Sequence, residues 1–210
     1  IHSTIAKGKL TGVDVSQAAT APGVSAVIDA TNIAAARLAG DDRKLLAVGD
    51  DVVHIGQAIA VVVAESLEQA KHSASLVRCE YERGTPITQM LDPHAKEEDA
   101  NGRGGPNRGN PDSALASAGV TQSATFQTPI QTHHPMELGA TIATWNDDKL
   151  TIYDGTQAVL GSRKNIAGAF GLPTESVMVV SPYVGGGFGA RLMVWPHTIL
   201  AAAAARAGST

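Results

Sequence analysis

The densest concentration of chemical potential in this chain is Gly185, Gly186, Gly187, Phe188 and Gly189. Glycine lets a backbone come close to a ligand, and successive amide N–H groups can hold an anion. An apolar strand-like run (residues 176–181) precedes the cluster, and an alanine-rich helical run (198–207) follows it. A phosphate-bearing cofactor suits such a loop; a tight strand-to-helix turn without a ligand is the alternative. A Walker loop would close on Gly-Lys-Ser/Thr, whereas this one closes on Gly189, Ala190 and Arg191. Gly185, Gly187 and Ala190 do fit the G-x-G-x-x-A dinucleotide fingerprint. That reading also needs an acidic residue at the end of the next strand, and residues 190–210 contain none.

Two further stretches carry polar chemistry. Gln131, Thr132, His133, His134, Pro135, Met136 and Glu137 combine histidines with a carboxylate, but neighbouring histidines point apart on an extended chain and no ligand spacing is present. His54, His72, His94 and His197 are scattered, so no direct metal ligands are assigned. Asp154, Gly155, Thr156 and Gln157 stand between a strand end and a helix start, with Thr156 or Asp154 as the expected cap. Cys79 sits in a strand pattern among apolar neighbours, which favours an inert buried thiol. Glu80 and Glu82 share a strand face that reads as a solvated edge. No G-x-S-x-G elbow is present.

The elements that would hold these residues follow from periodicity. Residues 1–15 alternate as a strand, 16–21 form a helical turn, and 24–28 form a strand. Residues 29–39 are a short helix or irregular. Two β-branched runs, 52–54 and 59–64, read as buried strands. Ser66 and Gln69 make a capping-box pattern for a helix to about residue 75, and 76–82 return as a strand. A Gly, Pro, Asn and Arg stretch (101–111) is a linker or long loop, followed by a short helix at 113–118 capped by Asp112. Residues 121–128, 140–145 and 149–153 then read as strands, 159–170 as a helix ended by Gly171, 176–181 as a strand, and 198–207 as a helix. The fold class is α+β.

Bulk properties set the frame. The 210 residues are 43% apolar and 17% charged with a net charge of -4, as expected of a globular chain and not of a nucleic-acid or anionic-membrane binder. Aromatic residues make up only 4%, too few for a base-stacking platform. One cysteine cannot make an intrachain disulfide or a four-thiolate iron–sulfur site. No apolar run is long enough to cross a bilayer. The absence of an initial Met and the stop just after an alanine-rich helix favour a chain truncated at both ends.

In order along the chain, four segments resemble the xanthine dehydrogenase and aldehyde oxidase family of molybdenum hydroxylases. Residues 55–65, Ala70 and residues 77–82 are similar to its α/β hammerhead domain. His134, Pro135, Met136 and Glu137, followed by residues 140–145, resemble the start of its molybdopterin-binding domain. Residues 153–157 and 181–189 continue the pattern, and residues 107–111 are similar to the bacterial aldehyde oxidoreductase branch. The resemblance implies a truncated hammerhead domain at 1–84, a linker at 85–118, and the N-terminal part of a molybdopterin-binding domain at 119–210.

It also implies a chemistry. Family members oxidise aldehydes or N-heterocycles with water as oxygen source, on molybdenum held by a pterin dithiolene, here expected in its cytosine dinucleotide form. Electrons leave through iron–sulfur clusters and FAD, expected on partner subunits. Carried over by position, Gln157 would hydrogen-bond the apical oxo ligand, and Gly185, Gly186, Gly187, Phe188 and Gly189 would pack beside the cofactor, with Ala190 and Arg191 in the same binding stretch. The family often has Gly-Gly-Lys where Gly189, Ala190 and Arg191 stand. Xanthine dehydrogenases have Glu where Leu192 stands, so an aldehyde is expected rather than a purine. Leu138 stands where a proline is common. The family's general-base glutamate lies later in the subunit, so no catalytic residue is assigned here, and the isolated chain is expected to be inactive. The compartment is cytoplasmic or periplasmic. The competing expectations are a non-catalytic assembly or binding module and, further behind, a nucleotide-binding domain.

Overall fold

The computed structural model describes residues 1–36, 45–96 and 108–207. Parts of three expected features lie outside them: the end of the 29–39 segment, most of the 101–111 linker, and the last three residues. The chain divides into one unit of Ile1–Pro86 with His133–Thr210 and a second of Ile87–Thr132.

The first unit opens with strand β1 (Gly8–Asp14), short helix α1 (Ser16–Ala19) and strand β2 (Val24–Asp29). A 3-10 turn covers Ile33–Ala36, and strands β3 (Asp51–Val52) and β4 (Ala60–Ala64) follow. Helix α2 (Leu67–Leu76) leads to strand β5 (Arg78–Arg83). β1 lies between β3 and β5, antiparallel to both, while β2 and β4 form a separate antiparallel pair. Leu10, Val52 and Ile59 are closed off from solvent in one cluster with Ile5. Only half of the expected capping box forms. Ser66 Oγ accepts from the Gln69 amide at 3.2 Å, but the Gln69 side chain turns towards Gly23, and its Oε1 is buried without a partner. Cys79 is half-buried, and burial raises its thiol pKa above the ordinary value while a bond to Tyr81 and the N-terminal charge pull it down.

The later part of the same unit carries the candidate site. Strands β6 (Thr141–Asn146) and β7 (Lys149–Asp154) form a hairpin whose tight turn puts Asp147 at φ 53°. After helix α3 (Pro111–Ala116 of the second unit), the next helix, α4 (Val159–Ala169), crosses over to strand β8 (Val177–Val180), which pairs parallel with β7. Gly171 stops α4 at φ 61°: its amide donates to Gly168 O and that of Leu172 to Ala167 O, the paired bonds of a Schellman end. Helix α5 (Pro196–Ala207) begins with proline, where a missing N–H costs nothing. Leu150, Ile152, Ile166, Val177 and Ile199 form the core beneath this layer. Trp145 ties β6 to α5: its indole donates to Ala202 O at 2.8 Å, and the Arg206 guanidinium lies 4.3 Å from its ring centroid. The opposite side of α5 places Leu200 in a cluster with Ile28, Ile33 and Ala58. One helix is therefore buried against both parts of the unit.

Among its described residues the second unit holds one helix, and it departs from expectation. Residues 121–128 form no strand. Val120 and Phe126 are 90% and 92% exposed, and a strand without a partner leaves its backbone groups unpaired. The cap of α3 is Asn110, which accepts from Ser113 N at 3.1 Å, and Asp112 falls inside the first turn. Pro111 at the first helical position moves the start two residues earlier than expected.

Candidate functional site

The site is assembled from three loops set by β7, β8 and α5. β7 ends at Asp154, whose carboxylate accepts from Thr141 Oγ1 at 3.0 Å and Thr198 Oγ1 at 3.3 Å, joining β6 and α5. The chain then turns through Thr156, which is only 3% exposed. Neither Thr156 nor Asp154 is the N-cap of α4. That position is Ala158, which makes no side-chain cap bond; Thr156 Oγ1 accepts its amide at 3.1 Å from two residues before. The same hydroxyl meets Ser162 Oγ at 3.0 Å and donates to Arg191 O at 3.3 Å. Ser181 Oγ accepts from Thr156 N and donates to Thr156 O, both at 3.1 Å, pinning the start of one loop to the end of β8.

With Thr156 held, Gln157 is turned outward. Its amide donates to Arg191 O at 2.8 Å, while its side-chain carboxamide has no hydrogen-bond partner among the described residues. That carboxamide lies against Gly187, where a Cβ would fall 2.8 Å from Oε1. The glycine loop adopts left-handed conformations at Gly185 (φ 63°), Phe188 (φ 48°) and Gly189 (φ 96°). For Phe188 this is an uncommon geometry, and its ring is 75% exposed.

Glu137 reaches the loop from the other side. Its carboxylate sits against the Gly185 Cα, in the space a Cβ would need, and accepts from Gly186 N at 3.4 Å. The Ala190 amide bonds back to Gly187 O at 2.7 Å. The amides of Gly187, Phe188 and Gly189 have no acceptor among the described residues. Three uncommitted amide donors and a free carboxamide are available to a ligand rich in acceptor atoms. A pterin carrying a phosphate and a metal bearing oxo and sulfur ligands has this character, so the residues fit such a group. Among the described residues no three His, Cys, Asp or Glu side chains converge where they could hold a metal ion directly.

Arg191 binds two of the loops to each other. Its guanidinium donates to Glu137 O at 2.9 Å and to Gly155 O at 3.4 Å. A Cβ on Gly155 would come within 2.5 Å of that guanidinium, so a side chain there would displace the arginine. His197, in the first turn of α5, has its pKa lowered by burial first; Asp154 opposes that shift and Arg191 adds to it. His197 also lines a cavity of about 930 Å³ with His2, His54, Asp154 and Arg191, but residues 185–189 and Gln157 are not part of its wall.

The structure thus brings Gln157, Gly185, Gly186, Gly187, Phe188, Gly189, Ala190 and Arg191 into one neighbourhood. The helix expected at 198–207 begins two residues earlier, at Pro196, and residues 190–195 still separate it from the glycines, so the loop amides are not a helix N-terminus. The dinucleotide fingerprint lacks the helix entry on which its phosphate geometry depends. Sequence reasoning missed the bracing by Thr156, Ser162 and Ser181, and the contact of Glu137 with the loop across 49 residues. No local signal in one sequence announces that last pair.

Two family models match the chain. The aldehyde oxidase and xanthine dehydrogenase a/b hammerhead domain matches residues 1–85, and the molybdopterin cofactor-binding domain matches residues 93–209. The chain belongs to the aldehyde oxidase and xanthine dehydrogenase family. Among its relatives, the aldehyde oxidoreductase molybdenum-binding subunit PaoC of Escherichia coli (strain K12) is 40% identical over 208 residues, covering 99% of this chain and 28% of that subunit. The nicotinate dehydrogenase large molybdopterin subunit of Eubacterium barkeri is 30% identical over 204 residues, covering 91% of this chain and 47% of that protein. Among solved structures, the aldehyde oxidoreductase of Desulfovibrio gigas aligns with a TM-score of 0.75 at 25% identity, over 99% of this chain and 25% of that one. Quinoline 2-oxidoreductase from Pseudomonas putida 86 aligns with a TM-score of 0.79 at 24% identity, over 99% of this chain and 29% of that one. The α+β fold class, a hammerhead domain followed by the start of a molybdopterin-binding domain, is that of the family. This chain spans less than half the length of these relatives.

Proposed function

We propose that this chain contributes one wall of the molybdopterin site in an enzyme that oxidises aldehydes, or N-heterocycles, with water as oxygen source. The observation that carries the proposal is the uncommitted donor set: the amides of Gly187, Phe188 and Gly189 beside the free Gln157 carboxamide. When bound, the molybdenum cofactor supplies the redox chemistry. The chain's own residues position it. Gln157 offers an N–H donor to an oxo ligand, the glycine backbone admits the cofactor at close range, and Phe188 sets an apolar ring at the rim. Ala190 and Arg191 close the stretch. Donors fixed before a ligand arrives cost no reorganisation when charge develops on it.

The finer parts of the proposal are a cytosine dinucleotide form of the pterin, and iron–sulfur and FAD subunits as redox partners. The domain bounds are 1–84, 85–118 and 119–210. Aldehyde is favoured over purine because Leu192 is apolar where a glutamate would face a purine. Among the described residues no helix is long and apolar enough to cross a membrane; the proposed compartment is the cytoplasm or periplasm.

The test is to purify the complete protein with its co-expressed partners and measure molybdenum per chain and the nucleotide released on cofactor oxidation. About one molybdenum and one cytidine monophosphate per chain are expected. A folded complex that carries no molybdenum overturns the proposal.

A further inference from the structure

The geometry points to Arg191 as a positioning residue that sets the orientation of the Gln157 carboxamide and the open form of the glycine loop. This inference rests on the proposed molybdopterin site. Its basis is the set of bonds made by one residue at both its ends. The guanidinium is engaged by two carbonyl oxygens, Glu137 O and Gly155 O, from two loops that are 18 residues apart in sequence. Its own carbonyl accepts from Gln157 N and Thr156 Oγ1. Glu137, whose backbone the guanidinium grips, is the residue whose carboxylate holds Gly186 N. Each loop of the site is therefore connected through Arg191. The carbonyl fixes the backbone from which Gln157 projects, and the side chain fixes Glu137, which holds the loop at Gly186.

The side-chain type matters here. A guanidinium presents donors in a rigid fork and can serve two acceptors at once, whereas a lysine ammonium is a point charge on a flexible stem. Gly155 leaves the space in which the guanidinium sits; a Cβ there would stand 2.5 Å from its Nη1 and push the side chain aside. Two of the guanidinium's five N–H groups are taken up by the carbonyls of Glu137 and Gly155, which ties it to both loops.

The experiment uses the complete enzyme with its partners, as wild type, Arg191→Lys and Arg191→Met. Four quantities are read for each: folded fraction by circular dichroism, molybdenum per chain, kcat and KM, and the electron paramagnetic resonance spectrum of partly reduced molybdenum. A displaced carboxamide predicts kcat per bound molybdenum falling on the order of tenfold to a hundredfold in Arg191→Met, with KM little changed. The spectrum shifts in that variant, and Arg191→Lys recovers part of both. Two results overturn the inference: unchanged kcat per molybdenum and an unchanged spectrum in both variants, or a loss that tracks only the folded fraction. Should Arg191→Met fail to fold, Arg191→Lys alone decides by the same two readouts. A wild-type complex without molybdenum removes the proposed function itself, and this inference with it.

Discussion

In the β6–β7–β8 layer, Leu150, Ile152 and Val177 are 1%, 0% and 1% exposed, and Thr156 next to it has every polar group bonded. A few residues away, Phe188 is 75% exposed and three successive amides have no acceptor among the described residues. The first region is stabilised by burial and satisfaction of its polar groups; the second leaves donors open, and open donors are what a ligand needs. The pair Thr156 and Gln157 marks the border. One side chain is buried and bonded on all sides, and the next projects free because its neighbour cannot move. Local rigidity in one residue thus gives direction to the following one, a requirement for any site that must hold its donors in place.

The contrast can be broken most forcefully from the buried side. Ile152→Ala removes a fully buried side chain from the centre of the layer and should cost about 2–5 kcal/mol. It should appear as a lower denaturation midpoint, and a midpoint within error of wild type would mean that the layer is not the platform described. The exposed side should respond differently. In the complete enzyme, Gln157→Ala leaves the denaturation midpoint nearly unchanged, because the lost carboxamide has no hydrogen-bond partner among the described residues. Turnover should fall by on the order of tenfold to a hundredfold, and normal turnover would remove Gln157 from the site.

The smallest effect concerns pH. The native His197 pKa lies below the ordinary value, chiefly through burial. The unfolded chain therefore binds a proton that the folded chain resists, and stability falls as pH drops below about 6.5. Above that value the contribution is fully present. His197→Gln should flatten the acid side of a midpoint-versus-pH curve between about pH 6.5 and the lowered native value. An unaltered slope would show that Asp154 offsets the burial.

Residues 121–128 teach a related lesson. Their alternation reads as a strand as clearly as that of residues 140–145, yet only the second run has a partner across a tight turn. Strand pairing is a property of two strands, and pattern alone does not supply the second. The helix starts show the same limit at shorter range. Asn110 and Asp112 are both acceptable caps, and the fixed φ of Pro111 decides between them. At Ser66 the cap was legible, but the reciprocal half was lost because Gln69 packs against Gly23 instead.

What the sequence determined by itself was the set of elements with strong period or punctuation. These are the β-branched strand at 60–64, the helix stopped by Gly171, the hairpin around Asp147, and the glycine loop with its capacity to expose backbone. Each depends on residues close in the chain, where periodicity and local sterics are sufficient. The order of its motifs was enough to identify the family. Only the tertiary structure decided that Glu137 braces Gly185 and Gly186, that Arg191 joins the Glu137 and Gly155 loops, and that Thr156 is locked so that Gln157 is free. Those contacts join residues 25 to 54 positions apart. Their existence depends on where β7, β8 and α5 pack, which is a property of the assembled core and of no single segment.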